Sequence, residues 1–223
     1  MDITFLELRA RFDGLFTKVN HVRIKSRNAH RGHSAEHDAL VAMIATRIAP
    51  DPRTAEKAFV AGILHSLDRV AGDEFESILD ECLTQLVPNQ FTPSESDEIR
   101  DAVVRHGEHK DAAGVRSLTL ITLMDADKLA NMQLLAIARA GQFYPDVPVI
   151  ETEFVSMRNP NSTYHSPTSI IENLWGFVEW GEPGWLQLPE AKRMGVVLAA
   201  RMREFILLAE APYKEFGIAG HVI

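Results

Sequence analysis

Two long apolar stretches set the terms for this chain: AFVAGILH, ending at His65, and the run from Leu118 to Ala140, which is almost free of polar interruption. A segment apolar on all sides reads as a helix buried in the middle of a fold. No run elsewhere shows the period-two alternation of a half-buried strand. The expectation is therefore an all-α chain in a single domain. Its core covers about residues 20–140, and a C-terminal loop and helices fill about 141–223.

Local signals place the remaining helices. Phe5, Leu8, Phe12, Leu15 and Phe16 recur at helical spacing and predict one opening amphipathic helix. A polar, cationic stretch follows, HVRIKSRNAHRGHSAEH, and then apolar residues crowd from Ala39 to Ile48. Asp51-Pro52 is a helix start, since Asp caps free N–H groups and Pro at the first helical position loses no needed hydrogen bond. A helix from about Glu74 to Leu86 ends before Pro88. Thr92-Pro93-Ser94-Glu95 then sets out a capping box for a helix carrying Ile99, Val103 and His106. Residues 107–114 read as a loop and 141–166 as a longer one, of a length often used for lids and binding segments. Ser166-Pro167 opens a helix to about Trp180, and Pro189-Glu190 opens the last, to about Glu210.

At 223 residues the chain is long enough for one well-buried core and short for two independent domains. A net charge of −8 argues against a general nucleic-acid binder. The lone cysteine, Cys82, precludes an internal disulfide and reads as a packing residue in a reduced, cytoplasmic setting. The opening residues lack the long apolar region of a secretory signal, and no apolar run approaches the roughly 18 to 20 residues of a membrane span.

The chemistry-bearing residues are histidines and acids set in apolar surroundings. His33 and His37 are one helical turn apart, and His65 ends an apolar helix. His106 and His109 lie near another helix end, and Asp125, Asp127 and Asn131 interrupt the second apolar run. Taken singly, each has a structural explanation as a cap, a surface residue or half of an ion pair. Together they match the donor types of Zn, Mn, Fe or Ni sites, and coordination is a common remedy for the cost of burying a carboxylate.

Three segments carry a family resemblance. GHSAEHDALVAMIATRIA, AFVAGILHSLDRV and LMDADKLANM resemble, in order and spacing, the signature segments of HD-domain phosphohydrolases. The C-terminal stretches IARA and PEAKRMGVVLAARMREFILL are similar to those of small bacterial members with nucleotide pyrophosphohydrolase activity, so the likeness runs from about residue 30 to 210. The resemblance implies a helical bundle, a divalent metal ion (Mn, Fe, Ni, Zn or Mg) and a small phosphorylated substrate, a nucleotide in that subgroup. It assigns His37, His65 and Asp127 as metal ligands and Lys128 and Asn131 as substrate contacts.

One position departs from the family: Ser66 stands where the Asp of the His-Asp pair belongs. Three consequences are open. Asp68 supplies the carboxylate from the next turn, the ion binds through three protein ligands and waters, or the site is inactive. In an active site the cation would lower the pKa of water and neutralise phosphate charge. His106 and His109 are then candidates for binding a second ion or donating to a phosphate oxygen. Arg23, Lys25, Arg27 and Arg31 are candidates for a phosphate-collecting rim. The expected function is metal-dependent hydrolysis of a nucleotide or another small phosphorylated metabolite. The alternative is an HD-fold module that binds a nucleotide or metal without turnover. Neither a membrane nor a nucleic acid is an expected partner, and a homodimer is left open.

Overall fold

Helix formation begins at a capping box. The Thr4 side chain accepts from the Glu7 backbone while Glu7 reaches back to the Thr4 N–H, starting α1 (Phe5–Arg11). The computed structural model describes residues 4–26, 34–86, 90–108 and 114–217. The predicted single opening helix is broken at Phe12, whose φ of −107° and ψ of 28° are not helical, and continues as α2 (Asp13–Lys25). Leu8, Phe12 and Leu15 are all buried across the break, so the apolar spacing runs on although the hydrogen-bond ladder does not. The HVRIK end of the polar stretch belongs to α2.

Next come α3 (Ala35–Ile48), capped by Ser34, and α4 (Pro52–Leu64), whose Asp51 cap accepts from the Thr54 N–H at 2.9 Å. Pro52 occupies the first turn of α4 as predicted, and the helix stops at His65. A short α5 (Leu67–Ala71) and α6 (Phe75–Glu81) follow, joined through Gly72 at a positive φ of 55°. The predicted Glu74–Leu86 helix thus divides into α6 and a π-helical turn, Cys82–Leu86. Cys82 is fully buried, and burial pushes its thiol up to about 12, in keeping with a packing role.

The capping box at Thr92 and Glu95 starts α7 (Pro93–Arg105), again as predicted. The second apolar run is not one helix. It forms α8 (Leu118–Asn131), turns, and resumes as α9 (Leu135–Phe143). Then come α10 (Ile170–Glu179), capped by Ser169 rather than Ser166, and α11 (Pro189–Glu215). Among the described residues there is no strand, only an isolated bridge between Thr163 and Ser166, so the chain is all-α. No helix among them is long and apolar enough to cross a membrane.

The chain divides into two compact units. The first comprises Met1–Ala130 with Gln187–Ala191. Its centre is the pair α3 and α4, which approach so closely at Gly62 that a Cβ there would lie 2.9 Å from the Ala42 Cα. Phe59, Ile63 and Leu64 on α4 are buried with Val41, Ala42 and Ala45 on α3. The close approach brings the end of α4 beside the first turn of α3, which matters for the site.

The second unit comprises Asn131–Leu186 with Lys192–Ile223. Its long loop, 144–169, is ordered by polar contacts. Glu172, buried on α10, accepts from Arg158 Nε at 2.7 Å and from the Asn159 N–H at 2.9 Å. Asn159 in turn donates to Glu151 and to Thr168. Trp180 packs on Tyr164 and Phe177, with ring centroids 4.9 and 5.1 Å away, which makes it a core residue. Gly181 lies so close to Ala199 of α11 that any Cβ would collide with it.

Candidate metal centre

His37 lies in the first turn of α3, His65 at the C-terminal end of α4, and Asp127 on α8. Far apart in sequence, these side chains bring one ligand atom each into a group within 4.8 Å of one another. The His37 Nε2 is 3.1 Å from the Asp127 Oδ1 and 3.4 Å from the His65 Nε2. The His65 Nε2 is 3.9 Å from the same Asp127 oxygen. Such separations suit donor atoms that share a small cation at roughly 2.1 Å. Both imidazoles are buried, and Asp127 is half-buried.

The electrostatics of the group follow from its surroundings. Burial holds the His65 pKa well below its ordinary value, and neighbouring His37 and His106 act in the same direction against the pull of Asp127. His65 is therefore a neutral imidazole, the form that ligates a metal. Burial alone would raise the Asp127 pKa. The hydrogen bond from His37 and the nearby imidazoles outweigh it and hold the carboxyl well below the usual range, ionised. Burial lowers the Lys128 pKa, with Asp125 and Asp127 opposing.

The structure also places a residue that the sequence reading passed over. Asp38, next to His37 and only 2 % exposed, accepts from the Ser66 hydroxyl at 2.7 Å. Its other oxygen pairs with the buried Arg23 guanidinium. Arg23 is thus no part of a phosphate rim: it neutralises an interior carboxylate, which burial of a charge demands. An acid beside a candidate ligand, in a stretch where apolar residues crowd, was the signal available in the sequence.

The remaining candidates fall in different places. His106, just past α7, directs its Nδ1 at the Val103 carbonyl (2.7 Å), and its ring stands edge-on to His65, centroids 5.3 Å apart. Lys128 directs its ammonium at the Met124 carbonyl, 3.4 Å away. Asp68, on α5, lies 3.2 Å from its neighbour Arg69 and is not in the converging group. Asn131 belongs to the second unit, where it accepts from Arg139 at 3.0 Å. Asp125 accepts from the backbone N–H groups of Gln187 (2.9 Å) and Leu188 (2.7 Å), a structural task. His33, His109, Arg27 and Arg31 lie outside the described residues.

Neither a protein-family model nor a curated protein sequence matches the chain. The fold is similar to a crystal structure of a Lactobacillus plantarum protein solved as a structural genomics target. The two share 19 % sequence identity and a TM-score of 0.67, over 96 % of this chain and all of that one. At that identity the likeness extends to the all-α architecture and leaves the chemistry to the site itself.

Proposed function

We propose that this chain is a metal-dependent phosphohydrolase of the HD type, acting on a nucleotide or another small phosphorylated metabolite. The observation that carries the reading is the convergence of His37, His65 and Asp127 from three separate helices onto one point. These are the positions that the HD resemblance designates as ligands. The donors fit a divalent cation: two imidazole nitrogens and a carboxylate oxygen, with His65 neutral and Asp127 ionised.

When bound, the ion supplies Lewis acidity that lowers the pKa of water and neutralises phosphate charge. The chain's own residues do the rest. Asp127 would supply the site's negative charge, its Oδ1 lying 3.1 Å from the His37 Nε2. Gly62 orients the His65 ring through its carbonyl, 2.7 Å from Nδ1. His106, ring to ring with His65, turns its Nδ1 to the Val103 carbonyl and would offer its Nε2 lone pair to a second ion, and Lys128, next to Asp127 in sequence, adds positive charge.

Elemental analysis of the purified protein, wild type against His65→Ala, tests the centre. Near-stoichiometric metal in the wild type that disappears in the variant, with phosphate release from a nucleotide panel, is the expected result. Absence of metal from both, even after incubation with Mn, Fe, Ni or Zn, rules the reading out. The second reading, a binding module without turnover, is favoured by one observation: position 66 holds a hydroxyl in place of a carboxylate. It predicts metal uptake and nucleotide binding with no phosphate release.

A further inference from the structure

Resting on that metal-site reading, the geometry points to Ser66 as a fourth protein ligand of the ion. It would serve as a neutral hydroxyl oxygen whose proton is held away from the site by the buried Asp38–Arg23 pair. The Gly62 carbonyl can only accept, so the Nδ1 of His65, 2.7 Å away, carries that ring's hydrogen and its Nε2 presents a lone pair. Ser66 has one hydroxyl hydrogen, and it goes to the Asp38 Oδ1 at 2.7 Å. What Ser66 turns toward the His65 Nε2, at 3.1 Å, is therefore also a lone pair.

Two buried acceptors then face each other with no hydrogen between them. The Asp127 Oδ1 lies 3.9 Å from the same nitrogen. The facing lone pairs of His65 and Ser66 repel each other, and a cation between them would turn that repulsion into attraction. Ser66 is as near to His65 as His37 is to Asp127, 3.1 Å in each case.

Asp38 explains why a serine can serve. Its Oδ2 is fixed by the Arg23 guanidinium, which retains its charge near neutrality with a pKa lowered by burial to about 10. Its Oδ1 is left to polarise the Ser66 hydroxyl and raise electron density on Oγ. Where the family keeps a carboxylate at position 66, this chain has Asp38, from another helix, acting through the Ser66 hydroxyl. A role for Ser66 as a nucleophile does not suit the same facts. It is 1 % exposed, and its proton goes to Asp38 rather than to the histidine.

Cobalt(II) titration of the full-length, chelator-stripped protein tests the assignment, with the visible ligand-field band as readout and a thermal melt of each variant as the folding control. Ser66→Ala is expected to weaken cobalt binding by about 10- to 100-fold, and Ser66→Thr to restore most of it. Ser66→Cys is expected to add a thiolate-to-cobalt charge-transfer band in the near ultraviolet, which a merely structural residue would not produce. A folded Ser66→Cys protein that binds cobalt without that band overturns the assignment, as does Ser66→Ala binding with wild-type affinity. Failure of the underlying reading looks different: the folded wild type itself then shows no ligand-field band, and the ligand role falls with it.

Discussion

Asp125 and Asp127 stand two residues apart on α8, and in the sequence they are indistinguishable as acids in an apolar helix. Their surroundings separate them. On one side of α8, Asp125 is buried and accepts two backbone N–H groups from the segment entering α11, at 2.9 and 2.7 Å. On the other, Asp127 is half-buried and shares its oxygen with two imidazoles that come from different helices. The first arrangement is a structural tie: two backbone donors fix one carboxylate oxygen, Oδ2. The second gathers two imidazole nitrogens and a carboxylate oxygen within 4.8 Å of one another, a group that could hold a cation. A buried acid is thus evidence for a site only after its partners have been identified.

The largest effect is expected at Asp125, which holds two backbone donors. Asp125→Ala removes a charged acceptor and strands two N–H groups, one of them on the buried Leu188. Each such loss is worth about 1.5 to 3 kcal/mol, so urea denaturation should show a stability loss of about 3 kcal/mol or more. Cobalt affinity of the folded fraction should stay within a few-fold of wild type. A large loss of affinity with little loss of stability would invert the contrast drawn between the two acids.

Ser66→Asp comes next, and it separates charge from coordination. The new carboxylate would lie beside Asp38, whose oxygen is 2.7 Å from the present hydroxyl, with Arg23 to neutralise both. In chelator the variant should lose about 2 kcal/mol, from crowding two buried like charges. Adding Asp38→Asn should recover most of that loss. Saturating metal should favour the single variant, because a ligand bound only by the native state stabilises it. Ser66→Asp that is as stable as wild type in chelator would show that Asp38 is not the charged neighbour described here.

Helix starts and the residues of the site were largely legible in the sequence, because both rest on local chemistry. Asp51-Pro52 and the Thr92–Glu95 box state their caps within four residues, and each begins a helix where expected. His37, His65 and Asp127 were found through a family likeness, and the fold brings them together. What escaped depends on partners distant in sequence. Arg23 reads as one cation in a basic stretch until Asp38 packs against it. The purpose of Asp125 lies in a backbone 62 residues further on. The break at Phe12 has no Pro or Gly to announce it, and the apolar spacing continues through it. The turn dividing α8 from α9 is unannounced in the same way.

A smaller effect concerns protons. His65 is held neutral in the fold, with its pKa well below 6.5. In the unfolded chain it takes up a proton as pH falls through that value. The unfolded state then binds more protons, so in chelator stability should decline from pH 7 toward pH 5, by at most about 1.4 kcal/mol per pH unit. The depressed Asp127 pKa has its consequence elsewhere: the stability it provides persists through this window and is lost only in stronger acid, as pH falls through the ordinary carboxylate range. Paired urea melts at pH 7.5 and 5.5 should show a smaller difference for His65→Gln than for wild type. An unchanged difference would mean that another group sets the slope.

Asp127→Asn should have the smallest effect on stability and a decisive one on binding. The amide keeps an oxygen where the carboxylate oxygen now lies, 3.1 Å from the His37 Nε2, so the hydrogen bond between the two side chains can persist. Half-burial spares the variant the cost of a fully stranded polar group. In chelator the change should stay within about 1 kcal/mol. Yet the substitution removes the anionic member of the group, so cobalt affinity should fall by about 100-fold or more, beyond the range typical of partners that only support a ligand. If Asp127→Asn unfolds the chain as Asp125→Ala is expected to, the two acids share a structural role. If it leaves both stability and cobalt binding intact, the ion is not held by the group that converges on α8.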